Sequence, residues 1–268
     1  MKTVTLLLFT TLLAAAISAQ DLEQPSTPVA ITVQGSFNFG SVDGFLQTPA
    51  GGRPVTSSRR RPTFDELGID DVAFYDTRPD IQWHRLRLYG GYQFIRLDGS
   101  ETLSQPLISH GVPFAAGDSV RSDNRLDWSR IGAGWHFDFL DRRLELMPKA
   151  ELALLDFKYH LSSRSQSADR SYIKGCPRLG LEGTYHLSDI ISFNVDGSAS
   201  LPLSNSPQIA ALRATANFRL LPHSHRVKPS LFAGVGMEWI DYEDNQTLPN
   251  HIKANIGPFL ITGVAVTF

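Results

Sequence analysis

The sequence contains a single cysteine, few lysines and, after its first residues, no long hydrophobic run. Cys176 has no partner for an internal disulfide, so the fold is not cross-linked, and a small structural residue is the simplest interpretation. The formal net charge of -2, with both signs well mixed, leaves no basic surface for nucleic acid. Neither metal-finger nor P-loop spacing occurs, so the sequence implies no metal and no other cofactor.

The first residues have the features of a secretory signal peptide. Lys2 is followed by an apolar run from Val4 to Ala16 and then by small residues up to Ala19. The run is shorter than the roughly 20 residues that a membrane-spanning helix needs. We therefore expect residues 1–19 to be removed and residues 20–268 to form one exported domain, which would cross a membrane only with strands.

Alternation of apolar and polar residues dominates the rest of the chain. The longest example ends the sequence: from Ile252 to Phe268 the even positions are nearly all apolar. This segment exceeds the usual strand of about five or six residues. It is long enough to cross a bilayer as a tilted strand of roughly 9–11 residues. One slip in the alternation, at Leu154 and Leu155, predicts a β-bulge.

The number of strands follows from parity. Eight alternating segments run from Ile81 to the end of the chain, and Ile31 to Gly40 is a ninth. Because bacterial barrels have an even number of strands, we count the short segment from Asp70 to Asp76 as a tenth and place a turn at Arg78. The predicted fold is all-β, a transmembrane antiparallel up-and-down barrel of about ten strands with periplasmic termini. Eight strands is the alternative.

The first long connection, residues 41–68, is rich in proline and glycine. Near its end the sequence predicts a short helix, with Thr63 as N-cap and Glu66 at the capping-box position. A connection of this length usually has a function. We expect an extracellular loop or a plug that enters the barrel. A basic run within it is a candidate site for anionic lipopolysaccharide or another surface ligand: Arg59, Arg60 and Arg61.

The export signal and the closing strand together resemble bacterial outer-membrane β-barrels of the small OmpA-like and porin-like kind. In that family the last residue is typically phenylalanine, as Phe268 is here, and belongs to the signal read by the barrel-insertion machinery. The resemblance implies that this machinery is a partner through the C-terminal strand. It also implies outer-membrane lipid, including lipopolysaccharide, as a second partner.

A secreted soluble barrel of the lipocalin type is the competing interpretation, because alternation alone does not say which face is outside. A soluble barrel fills its interior with large aliphatic side chains. A membrane barrel has a polar lumen and an apolar outer band flanked by aromatic residues. The polar faces here are poor in lysine and rich in arginine, serine, asparagine and glycine, which favours the membrane barrel.

The polar faces of the predicted strands also carry charges of both signs, which the membrane barrel places in its lumen. Buried charges persist when they are paired and hydrogen-bonded, and the planar guanidinium of arginine suits such pairing. The charges therefore predict either an ion-pair network that fills the barrel or the lining of a small pore. The candidate residues are Arg85, Arg87, Arg130, Glu145, Lys149, Glu151, Asp156, Arg178, Glu182, Asp196, Arg213, Arg219 and Glu238.

Catalysis is the less favoured hypothesis. Both His160-Leu161-Ser162 and His186-Leu187-Ser188 have the His-x-Ser spacing of outer-membrane lipid A deacylases, whose serine needs a histidine base and a carboxylate. His186 lies at a predicted periplasmic turn, no glutamate closely follows His160, and the aspartate set of omptin-type proteases is not found. We expect a non-enzymatic barrel with a structural, surface-interaction or passive channel role. A lipid hydrolase that uses His160 and Ser162 is the alternative.

Overall fold

The computed structural model describes residues 29–47, 61–221, 227–245 and 249–268. The expected signal peptide, residues 1–19, lies outside these ranges. Within them, no helix is long and apolar enough to cross a membrane. The strands are β1 (Ala30–Gln47), β2 (Asp71–Trp83), β3 (Leu86–Thr102), β4 (Leu107–Ser109), β5 (Val112–Phe114), β6 (Ser119–Trp135), β7 (Phe137–Phe139), β8 (Leu144–Ser162), β9 (Ser167–His186), β10 (Ile191–Ser200), β11 (Gln208–Arg219), β12 (Lys228–Glu243) and β13 (His251–Thr267).

Ten of these strands form one closed antiparallel barrel. The order around the wall is β6, β3, β2, β1, β13, β12, β11, β10, β9, β8, and β8 pairs with β6 again. Phe37 of β1 lies opposite Tyr75 of β2 on one side and opposite Thr262 of β13 on the other, which closes the ring. The all-β up-and-down fold and the count of ten strands are confirmed, and the eight-stranded alternative is wrong.

The two ends of the barrel differ in their connections. Ile31 and Phe268 are joined by a backbone hydrogen bond of 2.9 Å at one end, which we call the terminal end. The opposite end, which we call the loop end, holds the connection from β1 to β2 and the connection from β3 to β6. The latter contains the separate hairpin of β4 and β5.

Strand β2 is longer than the sequence predicted, and the turn expected at Arg78 is wrong. The strand continues to Trp83, and the turn is formed by His84 and Arg85. Pro79 had suggested the turn because it lacks a backbone N–H. In the structure Pro79 pairs with Val33 of β1, and the register with β3 skips it, so the missing donor is tolerated.

The outward faces of the strands form an apolar band around the wall. Ile131 is 68% exposed and Leu260 64% exposed, which in water would leave a large apolar surface unburied. In the hydrocarbon of a bilayer the same surface is favourable, and aromatic residues mark its edges as in membrane barrels. Exposed aromatic side chains near the strand ends at the terminal end include Trp83, Tyr185, Phe218 and Phe268. Others lie where the band stops along a strand: Tyr75, Phe94 and Trp239.

The last strand does not present one continuous apolar face to the bilayer, as its even positions had suggested. The register of β13 shifts against both neighbours near Gly257, whose φ of 118° suits glycine. Ile256 and the even positions before it are buried inside the barrel, whereas Leu260 and Val264 after it point outward. The irregularity expected at Leu154 and Leu155 is also wrong, because β8 pairs continuously there, with Leu154 outside and Leu155 inside.

The interior is apolar toward the loop end. Inward side chains of the strands pack into one core with two inserted segments. These are the end of the connection from β1 to β2 and the hairpin of β4 and β5. The first insert is a single 3-10 turn, Asp65–Leu67, so a short helix is present but only as one turn. Other members of the core are Val42, Leu46, Phe74, Ile95, Leu97, Leu107, Phe114, Leu126, Leu155, Phe157, Ile240, Ile252 and Phe259.

The expected capping box holds the first insert in place. The Thr63 backbone N–H donates to Oε2 of Glu66 at 3.1 Å, and the Glu66 backbone N–H donates to Oγ1 of Thr63 at 3.3 Å. Phe64 and Leu67 are completely buried. The described part of the first connection is therefore a plug.

Candidate functional site

A network of paired charges fills the barrel between the apolar core and the terminal end. Six cationic side chains and six carboxylates take part, from eight of the ten wall strands. Each reaches the interior because alternate residues of a strand share one face. The members are Asp76, Arg78, Asp80, Arg87, Arg130, Lys149, Glu151, Arg178, Glu182, Asp196, Arg213 and Glu238.

The part of the network next to the apolar core is centred on two carboxylates. Asp76 accepts two hydrogen bonds of 3.0 Å from Nη2 of Arg130 and also contacts Arg213. Glu238 is completely buried and accepts from Nε2 of Gln93 and from Nε1 of Trp128, each at 2.9 Å. Buried carboxylates are stable only with such donors, so these contacts tie five strands together.

Nearer the terminal end, Glu182 and Asp196 join three cations. Arg78 lies 3.1 Å from Glu182 and 3.2 Å from Asp196, while Arg87 lies 3.0 Å from Glu182. Lys149 is 2.6 Å from Asp196. Because each charge has an opposite charge beside it, this part of the lumen is electrostatically balanced.

Trp128 contacts two guanidinium groups. The Cζ atoms of Arg130 and Arg178 are 4.8 Å and 4.6 Å from its ring centroid, which is within the range of a cation–π contact. Arg178 also lies 2.6 Å from Glu151, whose other oxygen accepts from the Tyr89 hydroxyl at 3.0 Å. Trp128 thus lies where the apolar core meets the charged network.

A cavity of about 380 Å³ opens beneath the network toward the terminal end. Its wall includes Asp76 and Arg130 at the inner side and Thr32 and Thr267 near the termini. The wall is rich in hydroxyl, amide and charged side chains. The cavity is therefore a polar recess that ends at the apolar core.

His136 and Glu145 lie at the mouth of this recess. Burial and the nearby positive charge of Arg87 lower the pKa of His136, which lies between β6 and β7 at the terminal end. Neither ring nitrogen of His136 has a hydrogen-bond partner in the described chain. Glu145 lies 3.8 Å from His136 and 3.1 Å from His186. At this position the neutral imidazole is the favoured form.

Most charges that the sequence assigned to the lumen lie there, but two do not. Arg85 lies in the turn between β2 and β3, where its carbonyl accepts from the His136 backbone N–H. Asp156 is on the outer face of β8, 3.5 Å from Lys158, because β8 continues without the bulge that would have turned it inward. Arg219 is at the mouth, where Nη1 donates to the Asp189 carbonyl at 2.7 Å.

Three network members were missed by the sequence analysis: Asp76, Arg78 and Asp80. Asp76 ended the predicted short strand, and Arg78 and Asp80 lie in the part of β2 that was predicted to be a turn because of Pro79. Their spacing of two residues was the signal that could have placed them on one face of a strand.

Of the three arginines of the first connection, only Arg61 lies within the described ranges. Arg59 and Arg60 fall outside them. The guanidinium carbon of Arg61 is 4.9 Å from the ring centroid of Phe45, so Arg61 stacks at the loop end.

His160 has a carboxylate partner that its local sequence did not show. Its Nδ1 is 2.6 Å from Oδ1 of Asp169, which lies directly opposite on β9. Both are on the outer face of the wall near the loop end. Among the hydrogen bonds of the described chain, none joins Ser162 to His160 or Asp169. The structure therefore places a histidine and a carboxylate in contact, which are two of the three groups that a serine hydrolase needs.

The closed wall of ten strands and the outward apolar band decide the class of the protein. Its architecture is that of a bacterial outer-membrane β-barrel. No protein-family model matches the chain, and no curated protein matches it in sequence.

Several solved structures resemble the fold. The outer membrane protease OmpT from Escherichia coli has 10% identity and a TM-score of 0.42, over 92% of this chain and 99% of that one. The COG4313 outer membrane channel from Pseudomonas putida F1 has 11% identity and a TM-score of 0.39, over 93% and 98%. Ail, the attachment invasion locus protein of Yersinia pestis, has 12% identity and a TM-score of 0.34, over 88% and 99%. Likeness at this level carries no function to this chain.

Proposed function

We propose that this chain is a non-conducting outer-membrane barrel, closed toward the cell exterior, with a structural and surface-interaction role. On this proposal the termini and the polar recess face the periplasm, and the loop end faces outward. The observation that carries it is the apolar core, which occupies the loop-end half of the lumen. A hydrated ion would have to pass between packed side chains such as Phe64, Phe157 and Phe259, without polar groups to replace its water.

The paired charges support the same proposal. A selective pore needs binding groups that are available to the passing ion, whereas the six cations and six carboxylates of the network are engaged with one another. Their contacts link opposite walls of the barrel. The network is thus better suited to holding the wall in shape than to lining an open path.

Single-channel recording of the refolded mature chain in a planar bilayer tests this proposal. A porin of similar size in the same bilayer is the positive control, and heat-modifiable mobility on an unboiled gel reports that the barrel is folded. We expect a folded barrel without discrete conducting steps. Steps that change in amplitude or ion selectivity when Arg130 or Glu238 is neutralised would overturn the proposal and identify a pore.

A surface lipid hydrolase is the second candidate, and the contact between His160 and Asp169 favours it. A histidine oriented by a carboxylate can act as the base for a serine, and Ser162 lies two residues from His160 on the same outer face. Release of fatty acid from lipid A, lost in Ser162→Ala and kept in Ser188→Ala, is the expected result for such an enzyme. Ser188 follows His186 with the same spacing and is the matched control. No release by the unaltered chain would exclude this function.

A further inference from the structure

At the loop end, the strands β3, β6, β8 and β9 extend beyond the apolar band. On β3, β6, β8 and β9 the last exposed apolar residues are Phe94, Ile131, Leu154 and Ile173. Further along the same outer faces the residues become charged. Since a strand rises about 3.4 Å per residue, Arg96 stands roughly 7 Å beyond Phe94, whereas Lys158 and Arg125 stand roughly 14 Å and 20 Å beyond Leu154 and Ile131. Lys158 lies opposite Ser171, which is one outward position, roughly 7 Å, beyond Ile173. The cations thus lie roughly 7 Å beyond Phe94 and Ile173, and in a membrane barrel this is the level of the lipid headgroups.

Three cations form a row across this extension. Arg125 of β6 lies directly opposite Arg96 of β3 on one side and directly opposite Lys158 of β8 on the other. Like charges placed opposite each other on neighbouring strands destabilise a sheet. The folded wall therefore keeps two unfavourable pairs in one row, which calls for an anion that lies against them.

Nearby carboxylates form direct ion pairs only with the two end members of this row. Arg96 contacts Asp127, and Lys158 lies 3.5 Å from Asp156. Arg125, in the middle, forms no ion pair or hydrogen bond with any residue that the structure describes. It is exposed, and its five N–H groups are available to a ligand.

A shallow cleft of about 570 Å³ lies beside Arg125 and Lys158. Arg170 also lines it, and its buried Nε has no partner among the described residues. The carboxylates of the cleft are Asp123 and Asp169. Asp169 is bound by His160. The lining thus holds three permanent positive charges against two negative ones, while Asp98 of β3 stands opposite Asp123 at the edge of the cleft as a third carboxylate.

We propose that this cleft binds the phosphate group of a phosphorylated lipid headgroup in the membrane leaflet that contacts the loop end. Arg125 and Lys158 hold the phosphate oxygens, as arginine and lysine do in other phosphate sites. The acyl chains continue along the apolar band at Leu154 and Ile173. The site rests on the membrane placement of the wall and not on the closed lumen. A conducting barrel could carry it equally well.

Native mass spectrometry of the refolded barrel in detergent, with lipid A as the probe, tests the site. The unaltered chain is expected to retain bis-phosphorylated lipid A and to bind chemically dephosphorylated lipid A at least about tenfold more weakly, as expected for lost charge-assisted hydrogen bonds. The double variant Arg125→Gln/Lys158→Gln should show the same loss. The matched control is Lys253→Gln. Lys253 is an exposed outward cation on β13, opposite Asp241 and away from the cleft.

Each outcome of this experiment decides the proposal. Equal retention of the two lipids, or retention unchanged in the double variant, would overturn it. Displacement by millimolar inorganic phosphate with no preference for the phosphorylated lipid would show a free-phosphate site and overturn the lipid assignment. Heat-modifiable mobility keeps folding failure apart from lost binding, and channel recordings report on the closed lumen separately.

Discussion

Trp128 donates its indole N–H to the carboxylate of Glu238 at 2.9 Å, and Glu238 has no exposed surface. This bond joins β6 to β12 across the barrel, at the level where the apolar core meets the charged network. Gln93 donates to the same carboxylate. Gln93 and Trp128 are paired on the neighbouring strands β3 and β6, so Glu238 ties β12 to these two strands of the opposite wall.

Removal of this acceptor should destabilise the barrel strongly. In Glu238→Ala the buried donors of Trp128 and Gln93 lose their partner and Arg213 loses a nearby opposite charge, so we expect a loss of about 3–5 kcal/mol in the free energy of unfolding. Urea unfolding in lipid vesicles, followed by tryptophan fluorescence, measures it. The control Glu145→Ala, at the half-exposed mouth, should cost at most about 1 kcal/mol. Equal effects of the two substitutions would contradict a central role for Glu238.

The plug depends on a close approach of backbone at Gly99. A Cβ atom added there would lie 2.2 Å from the Leu67 carbonyl oxygen, so Gly99→Ala should push the first insert away from the wall. We expect faster amide hydrogen exchange at Leu67 and Ile69, whose N–H groups both bond to the Phe64 carbonyl at 2.9 Å. Gly35→Ala is the control, because nothing lies within 4 Å of a Cβ added there. Unchanged exchange in Gly99→Ala would show that the insert is not held by this contact.

Membrane placement of the wall can be tested at Ile131, which lies on the outer face of β6 four residues, roughly 14 Å, from Asp127. In water a lysine at a position that is 68% exposed would change stability by about 0.5 kcal/mol or less. In a bilayer Ile131→Lys should cost about 2–4 kcal/mol, because the charge enters hydrocarbon. Thr102→Lys, exposed at the loop end, is the control and should be nearly neutral. Urea unfolding in vesicles that gives no difference between the two variants would argue against the bilayer.

The lowered pKa of His136 predicts an acid-sensitive contribution to stability. The unfolded chain, with a histidine pKa near 6.5, takes up this proton before the folded chain does, so protonation favours unfolding. The contribution is present above about pH 6.5 and is lost as the pH falls below it. Between about pH 7.5 and pH 5, His136→Gln should therefore lose less free energy of unfolding than the unaltered chain. Identical pH slopes for the two proteins would contradict the prediction.

Local pattern predicted much of the wall. Alternation in β9, such as Leu179 and Leu181 outside against Arg178 and Glu182 inside, was read correctly because each face of that strand has one chemical character. The requirement for an even number of strands led to the correct inclusion of β2, although its second half was predicted to be a turn because of Pro79. The candidate charges were found because they lie on the polar faces of these strands. Which charges pair was not predicted, since partners such as Arg78 and Asp196 are 118 residues apart in the chain.

The wrong predictions concern strands whose inward face changes from polar to apolar toward the loop end. Leu155 looked like a slip because a lumen was expected to be polar throughout, and Ile256 was placed outside for the same reason. Near the loop end the interior is filled by hydrophobic side chains, so apolar residues occur on both faces there. Periodicity reports a difference between two faces and gives no signal where both are apolar.

The sequence by itself determined the alternation, the number of strands and the choice of a membrane-type wall, since these depend on neighbours along one strand. Only the tertiary structure decided that an apolar core packs inside the barrel, which charges pair, and that Arg96, Arg125 and Lys158 stand in one row. Those features depend on the register between strands and on inserts folded back into the barrel. The physical reason is that a strand's own sequence fixes its faces, while its contacts are fixed by closure of the whole ring.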